Sequence, residues 1–192
     1  MDYTDLKEAQ RRLSKMLPER TYAHSLRTVE MAVTLAERLG ADRSIVETAA
    51  LLHDCAKEEA KHFLQAKNIS LELSEKLTDF LDYPSVLHAP LGAYIAEHEY
   101  GVTDQRILDA ITYHTTGRPG MTTEEKIVFL ADGIEKGREF DGVEQLRDLA
   151  KKDLDKAVLA CLESTLQYLN TRHSAVHPLT IATINYLKEK MK

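Results

Sequence analysis

With 192 residues, 43% of them apolar, the chain has the material for one ordinary domain with a real core. A formal net charge of −6 argues against a nucleic-acid polymer as partner, while leaving room for a small phosphorylated ligand held by local charge or a metal. Two cysteines, Cys55 and Cys161, a polar start (MDYTDLKEAQ) without a secretion signal, and no apolar run of membrane-spanning length argue against a disulfide scaffold or a membrane protein and point to the cytoplasm.

Helical periodicity dominates from the first residues. DLKEAQRRLSKML carries Leu6, Leu13, Met16 and Leu17 at helical spacing, and Pro18 stands at the start of a long helix, Glu19 to Leu39, which Gly40 ends. Asp42 caps a helix running to about Cys55. Further helices are expected from Glu58 and between Leu71 and Phe80. DYPSVLHAP reads as a non-helical approach to a helix from Leu91 to His98. One from Asp104 to His114 follows, and TTGRPGM is a turn. Thr122 and Glu125 form a capping-box pair for a helix to Ile134. Val143–Leu149, Asp153–Leu169 and Pro178–Lys190 complete an all-α chain, a single domain over 1–192 with 141–192 as a helical extension packed on it.

Four of the eight histidines stand out. His24 opens the stripe Thr28, Met31, Leu35. His53 ends the stripe Val46, Ala49, Ala50, and His114 ends Ile107, Ala110, Ile111, so these three face inward near helix ends. His88 stands before a helix start, with its direction left open. Asp54 and Asp132 also follow apolar runs, in AALLHD and IVFLAD. A buried carboxylate is costly unless paired or bound to a metal, and a divalent ion shared by these groups resolves the cost economically. The adjacent pair His53-Asp54 does not share a helix face, but at a helix end both side chains reach an ion over the last turn.

His24, His53-Asp54 and Asp132 resemble the H…HD…D signature of HD-domain metal-dependent phosphohydrolases. The longer stretches HSLRTVEMAVTLAERLG, AALLHDCAKE, VLHAPLGAYIA, ITYHTTGRPGMTTEEKIVFLADGIE and HPLTIATINYL are similar to the bacterial YqeK family, over about residues 15 to 190. That resemblance implies an HD-domain helical bundle that cuts diadenosine tetraphosphate symmetrically into two ADP by attack of a metal-bound hydroxide on an inner phosphorus. It implies a dinuclear centre, of iron with manganese or another divalent ion as substitutes. His24, His53, Asp54 and Asp132 would bind the first ion, and His88 and His114 the second, with Asp54 bridging. Many two-metal relatives place another histidine where this chain has Thr115, which leaves the second ion fewer protein ligands.

Around these ligands, Lys57 lies one turn from His53 and Asp54, Arg27 one turn beyond His24, Arg118 in the loop after His114, and Lys136 and Arg138 after Asp132. We expect Lys57, Arg27, Arg118 and Arg138 to meet phosphoryl oxygens, with Asp54 and Lys57 the catalytic pair. His98 lies on the stripe Leu91, Tyr94, Ile95 but outside the motif and is expected to be structural. His62 is expected to be solvated, and His173 and His177 to flank a linker, with shaping of the substrate mouth as the alternative. The terminal helix is expected to dock on its own core, with homodimer contact as the alternative. Two other functions stay open: a different HD-type nucleotide phosphohydrolase or phosphodiesterase, and a nucleotide-binding sensor without turnover.

Overall fold

The computed structural model describes residues 6–60 and 77–192. Nine α-helices occur among them, with no strand: α1 (Leu6–Met16), α2 (Glu19–Leu39), α3 (Arg43–Leu52), α4 (His88–Tyr100), α5 (Gln105–Thr112), α6 (Thr123–Ile134), α7 (Val143–Ala150), α8 (Leu154–Thr171) and α9 (Pro178–Lys190). A single 3₁₀ turn spans Thr78–Phe80. The expected helix from Glu58 and most of the one between Leu71 and Phe80 lie outside the described residues, as does His62.

Local chemistry sets the helix starts. The Asp42 carboxylate accepts the amides of Ser44 and Ile45, so α3 begins where a free carboxylate can satisfy two orphan donors. Thr122 and Glu125 make the full reciprocal capping box of α6. Asp104 caps α5 and Asp153 caps α8. Gly40, in the left-handed region, closes α2.

Three helices depart from expectation at their ends. α4 begins at His88, three residues before the expected Leu91, so the last third of the supposed approach segment is helix. Pro90 reads as a breaker, yet it falls in the first turn, where an absent N–H removes no intrahelical bond. The shift places His88 on a helix start. In the other direction α3 stops at Leu52, with His53 as its C-cap, and α5 stops at Thr112, two residues before His114.

α3 is the central helix. Its residues Ile45, Val46, Ala49, Ala50, Leu51 and Leu52 are all buried, which a helix tolerates only when neighbours cover every side. Those neighbours are α2, α5 and α6; α2 also packs on α6, and α4 packs on α5. α8 lays Ala157, Val158, Cys161 and Leu162 against α6, and carries α7 and α9 on its flanks. No helix among the described residues is long and apolar enough to cross a membrane.

His177 caps α9 with Nδ1 accepting from the Leu179 amide. Its Nε2 lies 2.9 Å from the Asp79 carbonyl, to which it donates, and its ring stacks on Phe80 at 4.5 Å. Both ring nitrogens are satisfied by backbone, so His177 fastens the terminal helix to the 3₁₀ turn.

Candidate metal centre

Six side chains from five elements meet at one end of the bundle. His24 comes from α2, His53 and Asp54 from the end of α3, His88 from the start of α4, His114 from the turn after α5, and Asp132 from the last turn of α6. Three helix C-termini, those of α3, α5 and α6, therefore converge here. Each brings the negative end of its dipole, which favours a cation, against the single positive end brought by α4.

The distances are those of a shared centre. His24 Nε2 lies 2.9 Å from Asp132 Oδ1 and 3.3 Å from His53 Nε2. His53 Nε2 lies 3.5 Å from Asp54 Oδ2. On the other side of Asp54, Oδ1 faces His88 Nε2 at 3.3 Å and His114 Nε2 at 3.9 Å. Two sets each keep their donor atoms within 4.8 Å of one another: His24, His53, Asp132, and His53, Asp54, His114. Asp54 turns one oxygen to each side, the disposition a bridging carboxylate needs.

Hydrogen bonds fix the tautomers. His53 Nδ1 sits 2.7 Å from the Ala50 carbonyl and His114 Nδ1 2.7 Å from the Ile111 carbonyl. A carbonyl only accepts, so Nδ1 carries the proton in both rings and Nε2 presents a lone pair to the centre. Burial keeps both rings neutral: it pushes the His53 pKa down and that of His114 to about 3. Burial alone would raise the Asp54 pKa, but the nearby His88 and the Lys57 ammonium outweigh it and hold the carboxyl far below the usual range. Asp132 is held low in the same way by His24 and Arg138 against its own burial.

A metal fits these residues. Asp54 Oδ1 and His114 Nε2 are buried and have no hydrogen-bond partner among the described residues. Each is an electron-pair donor, and neither supplies a proton to the other, so a cation placed between them would satisfy both. Imidazole nitrogens mixed with carboxylates are the donors of iron, manganese and zinc centres, and the two sets suggest a dinuclear divalent site.

His24 is oriented differently from the other two. Its Nδ1 lies 3.1 Å from Glu135 Oε1, and Glu135 is in turn held by Arg27, whose Nε donates to Oε2 at 2.6 Å, and by the amide of Gly137. Against the effect of burial, Arg27, Gly137 and His24 bring the Glu135 pKa down to about 2. A Cβ at Gly137 would lie 2.7 Å from Arg27 Nε, so a side chain there would push the guanidinium off Glu135. Sequence reasoning did not single out Glu135. Its signal was its place three residues after Asp132, on the same helix face, within IVFLADGIE.

The expected substrate cations divide into two kinds. Lys57 Nζ lies 2.6 Å from Asp54 Oδ2 and Arg138 Nη2 lies 2.6 Å from Asp132 Oδ1, with side chains 39% and 40% exposed, so both sit at the edge of the centre and open to solvent. Arg138 also lines a cleft with Lys136, Phe140 and Arg147. Arg27 is instead engaged with Glu135. Arg118 is gripped by Glu125, from Nε at 2.7 Å, and by Asp109, from Nη2 at 2.8 Å, and lies over the Tyr113 ring. Lys136 pairs with Glu30 at the surface. His98 faces the Tyr94 carbonyl and is exposed, away from the cluster.

Arg118 gives a testable contrast. Arg118→Ala leaves the Glu125 carboxylate buried without its main partner, and the expected loss is about 3 kcal/mol of stability. A thermal melt beside steady-state kinetics checks it: a lowered Tm with KM unchanged identifies an architectural arginine, and a raised KM at unchanged Tm a substrate clamp.

The geometry agrees with known proteins. The HD domain family matches residues 21–137. A Bacillus subtilis protein named bis(5'-nucleosyl)-tetraphosphatase, symmetrical, is 41% identical over 180 residues, 91% of this chain and 93% of that one. A Staphylococcus aureus protein of the same name is 41% identical over 95% of this chain and 94% of its own length. A crystal structure from Clostridium acetobutylicum, described as a predicted HD superfamily hydrolase involved in NAD metabolism, superimposes with a TM-score of 0.85 at 33% identity, over 97% of this chain and 98% of that one. The fold and the cluster define an HD-domain hydrolase, and the chain belongs to the symmetrical bis(5'-nucleosyl)-tetraphosphatase family within that class.

Proposed function

We propose that the chain hydrolyses diadenosine tetraphosphate to two ADP at a dinuclear divalent centre. His24, His53, Asp54 and Asp132 hold one ion; Asp54, His88 and His114 hold the other. Iron is our assignment for both ions, with manganese as the ready substitute. The observation that carries the reading is Asp54, buried between two sets of histidines with one oxygen turned to each. When bound, the ion pair supplies an activated water and positive charge for the phosphate oxygens.

The chain's own groups do the rest. One water is consumed. Its oxygen bonds to an inner phosphorus while that phosphorus loses its bond to the central bridging oxygen, which leaves on the second ADP. Lys57 and Arg138, both half open to solvent, swing from their carboxylates to the phosphate chain and favour charge as it moves onto the leaving oxygen. Asp54 and Asp132 are held so acidic that they remain ionised ligands and make poor proton acceptors. The cleft beside Arg138 offers Phe140 as an exposed aromatic face for one adenine. We take 1–192 as one working domain, with 141–192 fastened to it through α8, and the cytoplasm as its place, where the buried thiols of Cys55 and Cys161 stay reduced.

Product identification tests the proposal. Protein reconstituted with Fe²⁺ or Mn²⁺ is expected to convert diadenosine tetraphosphate to ADP alone. Equal amounts of AMP and ATP would mean an asymmetric cut and overturn it, and tight nucleotide binding without products would mark a sensor.

A further inference from the structure

We infer that Arg147, which lies outside the segment matched by the HD domain family, is a positioning residue of the active site. The last carbonyls of an α-helix have no intrahelical partner. At the end of α6 one guanidinium collects the carbonyls of that region: Arg147 Nε donates to Ile134 O at 2.8 Å, and Nη2 to Glu135 O at 2.7 Å and to Arg138 O at 2.9 Å. The side chain is only 14% exposed, and Glu144 on its own helix takes Nη1.

The choice of carbonyls is the informative part. Glu135 and Arg138 are also the residues of this segment whose side chains enter the site. Glu135 reaches His24 Nδ1 and Arg138 reaches Asp132 Oδ1. Arg147 therefore brackets the short piece of backbone that aims both. A planar fork with fixed N–H directions makes three such bonds at once, whereas an ammonium on a flexible stem does not hold the same geometry. Through this contact α7 sets the orientation of one metal ligand and one phosphate-facing cation without touching either ion or substrate.

Two losses should follow when the fork is removed, and they are separable. The Glu135 branch acts on His24 and so on ion affinity. The Arg138 branch acts on KM. The second branch rests on the tetraphosphatase reading above; the first does not. In Arg147→Lys, titration calorimetry with Mn²⁺ alone on the chelator-stripped full chain is expected to show affinity lowered about 10-fold, the usual scale for loss of support behind a ligand. KM for diadenosine tetraphosphate is expected to rise by a similar factor. Asp148→Asn, an exposed partner of Lys151 on the same helix, should change neither.

A lowered Tm in Arg147→Lys, with Mn²⁺ affinity and KM both at wild-type values, would reduce Arg147 to a structural residue and overturn the inference. Should that variant fail to fold, hydrogen exchange on the wild-type protein decides. The amides of Gly137 and Arg138 are expected to be protected, and exchange at free-loop rates overturns it. If wild-type protein binds Mn²⁺ but leaves the tetraphosphate intact, the proposed activity fails while the Mn²⁺ affinities still judge Arg147.

Discussion

Asp54→Ala is expected to abolish turnover, by at least about 10³-fold in kcat, equivalent to about 4 kcal/mol of barrier. The residue turns an oxygen to each half of the centre, Oδ2 toward His53 and Oδ1 toward His88 and His114. Its loss removes a ligand from each half and the anchor of Lys57 as well. Circular dichroism should show the helix content intact, because Asp54 lies just past α3 and caps nothing. Quantifying ADP from diadenosine tetraphosphate, variant against wild type, is the measurement. Turnover within tenfold of wild type would remove the centre from the mechanism.

The second large effect is on stability. An ion bound only by the folded chain stabilises it by mass action, about 2.7 kcal/mol at a hundredfold excess over Kd. For a chain of this length that is a rise in Tm of about 5–10 °C. Differential scanning fluorimetry with excess Mn²⁺ against excess chelator reads it directly. The gain should be large because two buried donor atoms, Asp54 Oδ1 and His114 Nε2, have no hydrogen-bond partner among the described residues to compete with an ion. In His114→Ala the rise should shrink, and equal melting curves with ion and with chelator in the wild type would sink the metal reading.

The parts of the protein written locally were legible in its sequence. Asp42, Thr122 with Glu125, and the His177-Pro178 pair each announce a helix within three residues, and each helix starts there. The clustered residues were legible for a related reason: His53 and His114 end apolar stripes and point inward, where a buried polar ring needs a partner. Pro90 misled, since a proline signals a boundary without saying on which side of it the helix lies. Glu135 went unread despite its place one turn from Asp132, and Arg147 had no local signal, because their meaning lies in contacts to a histidine 111 positions away and to three backbone carbonyls. Arg27 and Arg118 show the same limit in reverse. Their closeness to the ligands in sequence was real, but buried glutamates claim both guanidinium groups in space.

The way the histidine rings are steadied has a consequence for how the centre is assembled. His53 and His114 each give their Nδ1 proton to a carbonyl three residues earlier, so each ring is aimed by its own helix end as soon as that end forms. His24 waits for a carboxylate contributed by the end of a different helix, α6, packed against its own. One half of the cage is thus self-reliant and the other is on loan from tertiary structure. As the bundle loosens, the half built on α2 and α6 should let go first, leaving a chain that still grips one ion but has lost the partnership on which its chemistry depends.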